Sequence, residues 1–467
     1  MIKAIIRKEL LDHVRSVQFA VLLAASIALF AANGIIFVRQ YSQFNSDYRL
    51  HVTQVEQHPS TIGTSLFRSP SLLLFMAEGG EKSSPQGYAL WPKLTFSPMP
   101  AATMNFKMPE VPDLDWAFII KIVFSLYVIL LGFEAVSGEK ERGTLCLVLS
   151  NAIGRLRLLT GKFLAIISSA AIALLVGLIV SLIIISVLLP AVLSLPNLAR
   201  IAVIFVLALT YLSFFAFLSL FFSALLLRSS LVLLVLLAFW ILFAFFIPDT
   251  SGVIAQKFSK IPSEYEMAKL VGPTIQKEVW DRISKLQDRI NKGELKTEKD
   301  VRDQADLAFE EGQDRVRKLY ADYDNAMQQR AALAQKISRV SPVSLFQYAA
   351  EDISGIGPAA YTRFLQDVRN YSRVYDDYIL KKMGKVIGTS PWSFSDRAIL
   401  NGKSIFLQSP YPQEYRGDKS DFPRFSETKT TLLDGLVGGL WDIAGLLLWN
   451  IILAGLAFLA FIHADVR

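Results

Sequence analysis

Six stretches of the chain are nearly continuous strings of apolar residues, and polar sequence lies between them. They run over Val17–Val38, Trp116–Val136, Phe163–Leu189, Ile201–Leu227, Leu231–Ile247 and Leu436–Ile462. A helix needs about 20 apolar residues to cross a hydrocarbon core about 30 Å thick, so each reads as a membrane span. The first carries no charge before Arg39. It is too long for a signal-peptide core and no clean cleavage site follows, so we expect a permanent anchor. Lys121 sits near the start of the second span, where it can snorkel to the interface. Only Arg228-Ser229-Ser230 separates the fourth and fifth, which predicts a tight helical hairpin.

The polar segments follow other patterns. Residues 1–16 place Ile2, Ile5, Ile6, Leu10 and Val14 on one helical face, with Lys3, Arg7, Lys8 and Arg15 opposite. This pattern suits a helix lying in a membrane interface; a simple flank of the first span is the plainer reading. Residues 39–115 contain Pro59, Pro70, Pro85, Pro92, Pro98, Pro100, Pro109 and Pro112. We expect mostly irregular structure there, packed on something else, with a short strand over Tyr88–Phe96 weakened by Pro92.

Residues 249–432 form the second long polar segment. Ile275, Val279, Ile283, Leu286 and Ile290 make one apolar helical stripe, and Asn291-Lys292-Gly293 ends it. Thr297 and Asp300 predict a capping box for a second helix reaching Val340, striped by Val301, Ala305, Ala308, Val316, Leu319, Tyr323, Met327, Ala334 and Ile337. Two such helices joined by a short turn predict an antiparallel hairpin. It either binds a partner or packs only within this chain. After Pro358 a further helix to Met383 places Phe364, Val368, Tyr371 and Tyr375 on one face. Residues 386–428 read as loop with short strands.

Composition sharpens this outline. The chain has 467 residues, 52% of them hydrophobic and 19% charged, which excludes a plain soluble enzyme and a disordered chain. Six spans put both termini on one side. That side collects Lys3, Arg7, Lys8, Arg15, Lys140, Arg142, Arg155, Arg157, Lys162, Arg228 and Arg467 against Glu9, Asp12, Glu139, Glu141 and Asp465. The excess accounts for nearly all of the chain's net +7. By the positive-inside rule that side is cytoplasmic, and the two long polar segments are extracytoplasmic. No basic stripe suggests nucleic acid. One cysteine, Cys146, permits no intramolecular disulfide, and the four scattered histidines suggest no metal site.

The loop after the second span, residues 137–162, carries the most specific pattern. It reads Ser137-Gly138-Glu139-Lys140-Glu141-Arg142-Gly143-Thr144-Leu145, then Leu147-Val148-Leu149-Ser150, then Arg155-Leu156-Arg157-Leu158-Leu159-Thr160-Gly161-Lys162. This is a charged turn, a short amphipathic helix and a basic entry into the third span. The pattern resembles the ABC-2 family of permease subunits of ATP-binding-cassette transporters, which carry E-x-E-x-G-T-L, then L-x-S, then R-x-x-L-L-x-G-K here. Glu139, Glu141, Gly143, Thr144, Leu145, Ser150, Arg155, Leu158, Leu159, Gly161 and Lys162 match. The usual proline after the serine is replaced by Asn151-Ala152-Ile153-Gly154.

The resemblance covers residues 1–38, 116–248 and 436–467; the insertion between spans five and six resembles that of a subset. It implies an α-helical membrane protein with six spans, an N-terminal interfacial helix and a mostly helical extracytoplasmic domain. It also implies a multi-pass protein of a bacterial plasma or inner membrane, with both termini cytoplasmic. The loop then acts as the ATPase-coupling element, with Glu139, Glu141, Arg142, Gly143, Thr144, Leu145 and Arg155 as its residues.

Gly154 to Gly161-Lys162 has the wrong spacing for a P-loop and is followed by Phe163. We therefore expect no cofactor and no catalytic residue in this chain, with ATP and Mg bound by a partner ATPase present in two copies. The other partners implied are a second permease copy or a sister permease, the lipid bilayer and an extracytoplasmic partner. Glu134 and Asp442 are the ionisable candidates within the spans. Both sit near interfaces, so plain solvation competes with function. Three readings remain: an exporting permease, a machine acting mechanically on an extracytoplasmic partner without transport, and a membrane-anchored receptor or enzyme. The coupling loop argues against the third.

Overall fold

A computed structural model of the chain describes residues 2–61, 63–78, 87–90, 97–99, 114–145, 154–259, 261–383, 397–406, 415 and 417–463. Helix α1 (Ile2–Val14) leads into α2 (Val17–Gln57), whose first turn is capped by Ser16 accepting from the Phe19 amide at 3.1 Å. Among the described residues six helices are long and apolar enough to cross a membrane: α2, α3 (Trp116–Glu141), α4 (Arg155–Leu188), α5 (Leu195–Leu225), α6 (Ser229–Phe258) and a last helix (Leu440–His463). The protein is an α-helical membrane protein.

Two spans outrun their apolar stretches. The expectation of irregular chain directly after Val38 is corrected, because α2 continues to Gln57. Charge ends the apolar run at Arg39, but no proline or glycine occurs before Pro59 to stop the helix. The fifth span likewise passes through Pro248 to Phe258. A π turn at Leu242–Phe246 lies immediately before that proline. The wider turn relieves the clash its ring would otherwise make with the preceding turn.

The fourth span is central and packs against the second, third, fifth and sixth. Spans one and three meet at small residues. A β-carbon on Gly177 would collide with Phe30 and Ser26, and the Ser26 hydroxyl donates to the Ala173 carbonyl at 2.9 Å. A buried polar chain ties three spans: Trp116 Nε1 donates to Ser181 Oγ at 3.1 Å, which donates to Asn33 Oδ1 at 3.0 Å. Asn33 Nδ2 then donates to the Leu114 carbonyl at 2.7 Å.

At one end of the bundle, β1 (Thr64–Phe67), β2 (Gly87–Leu90) and β3 (Ser97–Met99) form an antiparallel sheet in that order, with Thr64 opposite Leu90 and Gly87 opposite Met99. The expected strand at Tyr88–Phe96 thus starts at Gly87 and is seen to Leu90; residues 91–96 lie outside the described residues.

The insertion begins with α7 (Glu264–Ile275), a π turn at Gln276–Trp280 and α8 (Asp281–Asn291). Gly293, at φ +75°, turns the chain into α9 (Glu298–Ser338). The Thr297–Asp300 capping box is present, with both backbone amides bonded at 3.1 Å. Val279, Ile283 and Leu286 pack on Val301 and Ala305, and Ala398 closes the cluster. Further along, α9 lies against the extension of span five, where Arg330 donates to the Ser259 carbonyl at 2.8 Å.

Helix α10 (Pro342–Ser354) follows and is almost wholly buried. It enters the bundle without crossing it. Phe346 stacks on Tyr211 of span four at 4.7 Å, while at the other end Arg200 holds the Ser354 carbonyl at 3.1 Å. Helix α11 (Pro358–Met383) then buries Phe364, Val368, Tyr371 and Tyr375, as its stripe predicts, against Leu66, Tyr88 and Leu90 of the sheet. A hairpin, β4 (Arg397–Leu400) and β5 (Lys403–Phe406), turns at Asn401 and Gly402, both with positive φ. Helix α12 (Leu432–Gly438) leads to the last span, α13 (Leu440–His463).

Candidate functional site

The described residues of the 137–162 loop, 137–145 and 154–162, lie at the end of the bundle opposite the sheet and insertion. Span two breaks into a turn at Phe133, then re-forms as a short helix over Ser137–Glu141. Ser223 Oγ of span four accepts from the amides of Val136 and Ser137, both at 2.9 Å, and donates to the Phe133 carbonyl. The three charged residues that follow, Glu139, Lys140 and Glu141, each join a different helix.

Glu141 accepts from Ser229, from its amide at 2.8 Å and its hydroxyl at 2.9 Å. It therefore caps the start of span five, where exposed amides and the helix dipole favour an anion. Lys140 Nζ donates to the Ala224 carbonyl near the end of span four, the complementary arrangement. The short helix thus spans both sides of the four–five hairpin.

Glu139 turns inward. Its Oε1 lies 2.7 Å from Lys162 Nζ, and Glu9 Oε1 of α1 lies 3.3 Å from the same nitrogen. Lys162 is only 4% exposed. One buried cation therefore joins α1, the loop and span three. Gly161 makes this approach possible, since a β-carbon there would lie 2.7 Å from Ile5 Cγ2. His13 of α1 faces the same region, and burial pushes its ring below the ordinary histidine range. The second oxygen of Glu139 is buried with no hydrogen-bond partner among the described residues.

Gly143 closes the short helix at φ +66°, and the Thr144 amide bonds back to the Glu139 carbonyl at 2.9 Å. Leu145 is buried in the bundle core. Arg155 begins span three and donates to the Phe461 and Ile462 carbonyls at the end of span six. Arg142 and Glu134 stay largely solvated, 3.6 Å apart. Residues 146–153, including Ser150, lie outside the described residues.

The other in-span candidate behaves differently. Plain solvation of Asp442 is corrected: its side chain is fully buried and accepts from Arg339 Nε at 2.6 Å and Nη2 at 3.0 Å. Arg339 also sits over the Tyr348 ring at 5.6 Å. Asp442 thus fastens span six to the end of α9, far from the loop.

Sequence reasoning missed the joints made by Lys140, Lys162, Glu9, Ser223 and Ser229. Lys162 carried a usable signal, as a lysine facing an apolar helix surface beside two acidic segments. Nothing in the sequence marks Ser223 or Ser229 apart from other small residues in spans. Among the described residues no group of three or more His, Cys, Asp and Glu could hold a metal.

The arrangement is a set of helix ends bound into one polar assembly. A family model described as ABC-2 family transporter protein matches residues 3–466. The chain belongs to the ABC-2 transporter family. No curated protein matches the sequence. Membership makes the chain a permease component of an ABC transporter, a multi-pass membrane protein that works with an ABC ATPase. In ABC-2 proteins this component is generally not the catalytic one.

Proposed function

We propose that the chain is the transmembrane subunit of an ATP-driven exporter, with the 137–162 loop as the element that takes up motion from a separate ATPase. The observation that carries this reading is the Lys162–Glu139–Glu9 junction beside the Glu141–Ser229 cap. Together they link α1 and spans two, three, four and five at one end of the bundle, so a push on the loop reaches several spans at once. Arg155 extends the linkage to span six.

The basic residues at this end support a cytoplasmic placement of the loop and of both termini, in a bacterial plasma or inner membrane. Two permease units, identical or paired with a sister, would work with two ATPase subunits that bind ATP and Mg. Deletion of residues 139–150 should abolish copurification of the ATPase while the protein still inserts. Retention of the ATPase by that variant would remove the loop as the docking element. Cysteine labelling checks sidedness: a label at residue 330 reachable only from the cytoplasm would overturn it.

A second reading has its own support. The Arg339–Asp442 pair fastens a 41-residue helix to span six, and that helix also lies along span five. In this reading span motion drives the insertion against an extracytoplasmic partner and nothing crosses the bilayer. ATP-driven flux in sealed vesicles carrying the whole complex separates the two.

A further inference from the structure

Helix α10 contains a polar stripe inside an otherwise apolar setting. Gln347, Glu351 and Ser354 recur at i, i+4 and i+7, which places them on one helical face. Glu351 is 6% exposed and Ser354 is 1% exposed. Gln347 Nε2 donates to Glu351 Oε1 at 2.7 Å. Gln347 Oε1 and Ser354 Oγ are buried without hydrogen-bond partners among the described residues.

The cation that acts on Glu351 is Lys121 of span two. Lys121 lies within a π turn, Ile120–Phe124, a local widening found often at functional sites. Asp352 and Asp115 repel the Glu351 carboxylate, and the other charges around α10 pair elsewhere. Arg200 of span four is bonded to the carbonyls of Ser354 and Thr430. Asp442 of span six pairs with Arg339, and Asp434 of α12 pairs with Arg363 at 2.9 Å. Asp115 caps the start of span two, accepting from the Phe118 amide at 2.6 Å. On α10 itself, burial and then Asp442 push Asp352 up to about 6, against the pull of Arg339.

We propose that Glu351 is a proton-binding site whose protonation seats α10 in the bundle and whose ionisation loosens it. The neutral carboxyl suits a buried position, whereas the carboxylate must be held there by one lysine and one amide. On loosening, the proton leaves to water at the insertion end and the carboxylate gains hydration.

Burial pushes Glu351 up to about 7, outweighing the Gln347 hydrogen bond and Lys121, which pull the other way. The sign follows. Seated α10 holds its proton to higher pH than exposed α10 does, so seating is favoured in acid. That advantage is lost as pH rises from the ordinary glutamate value of 4.5 through about 7.

The test is hydrogen exchange over residues 342–354, corrected for intrinsic pH effects, in the full chain reconstituted in nanodiscs. Between about pH 5 and pH 8, protection should fall about tenfold or more, since each unit of pKa shift is worth tenfold. Glu351→Gln should lack the step near pH 7. Lys121→Met should move the step to higher pH, because the carboxylate loses its attractive charge. Asp352→Asn should move it to lower pH, because the Glu351 carboxylate loses a repelling neighbour. Wild-type protection that does not change across this range overturns the proposal, even if no variant folds. So does a Glu351→Gln profile identical to wild type, or a midpoint that Lys121→Met leaves unmoved. No ATPase is needed, so the outcome is independent of how the transporter is powered.

Discussion

Lys162 Nζ lies 2.7 Å from Glu139 Oε1, and the lysine that makes this contact is almost sealed from solvent. Its other carboxylate, Glu9, arrives from a helix 153 residues earlier. A buried ion pair contributes little relative to an apolar isostere, but removing one partner strands the other.

Lys162→Met should therefore leave Glu9 and Glu139 facing each other without a counter-ion. We expect a loss of about 3–5 kcal/mol and release of α1 from span three. Thermal unfolding in detergent, with cysteine accessibility at Ile5, measures both. An unchanged melting temperature would show that α1 is held by apolar packing alone.

Glu141→Ala removes two hydrogen bonds from the start of span five. Glu141 is exposed, so water screens the cap, and a small loss of stability should accompany reduced coupling of ATP hydrolysis to transport. Sequence reasoning treats Glu139 and Glu141 as exposed pairs whose loss hardly alters stability. The inward position of Glu139 reverses that expectation, whereas Glu141 stays exposed and acts through its cap on span five. Glu141→Gln, which keeps an acceptor, should restore most of the stability.

Asp442→Asn should destabilise the junction of span six with α9, since the half-buried Arg339 loses its charged partner. The sequence alone suggests a change within a few-fold in coupling. A double-mutant cycle with Arg339→Met isolates the pair, and a coupling energy near zero would show that the two residues act separately.

Asp434 gives a pH signature outside the membrane. Arg363 and then Thr431 hold its carboxyl far below the ordinary aspartate range. The stabilisation is present above the unfolded value of about 4 and is lost as pH falls further. Exchange over Leu432–Gly438 should rise in acid, and Asp434→Asn should remove that rise. An identical acid response in the variant would assign the effect to another group.

Much of this molecule was readable from periodicity. The six spans, the Thr297–Asp300 box and the aromatic face of α11 all rest on short-range patterns that the chain states directly. What was not readable rests on long-range partners. Arg39 marks where apolar sequence stops, yet a helix continues wherever nothing breaks it. Asp442 looks like an interfacial charge until Arg339, 103 residues away, is brought against it. In the loop, Glu139 and Glu141 read as a solvated charge cluster because Lys162 and Ser229 reach them only after folding. The Asn401-Gly402 turn was legible in principle as a hairpin signal.

The joint core of the small sheet and α11 has a consequence for the making of the protein. Ser69 bonds to Glu427, 358 residues later, and the Tyr375 hydroxyl bonds to the Ser60 carbonyl across 315 residues. Four spans are synthesised between these partners. At about 5–20 residues per second, the early strands wait roughly 20–70 s for the residues that cover them. During that interval Leu66, Tyr88 and Leu90 present a bare apolar surface beside the membrane. A chaperone that shields this surface would raise the yield of the protein without touching its finished form.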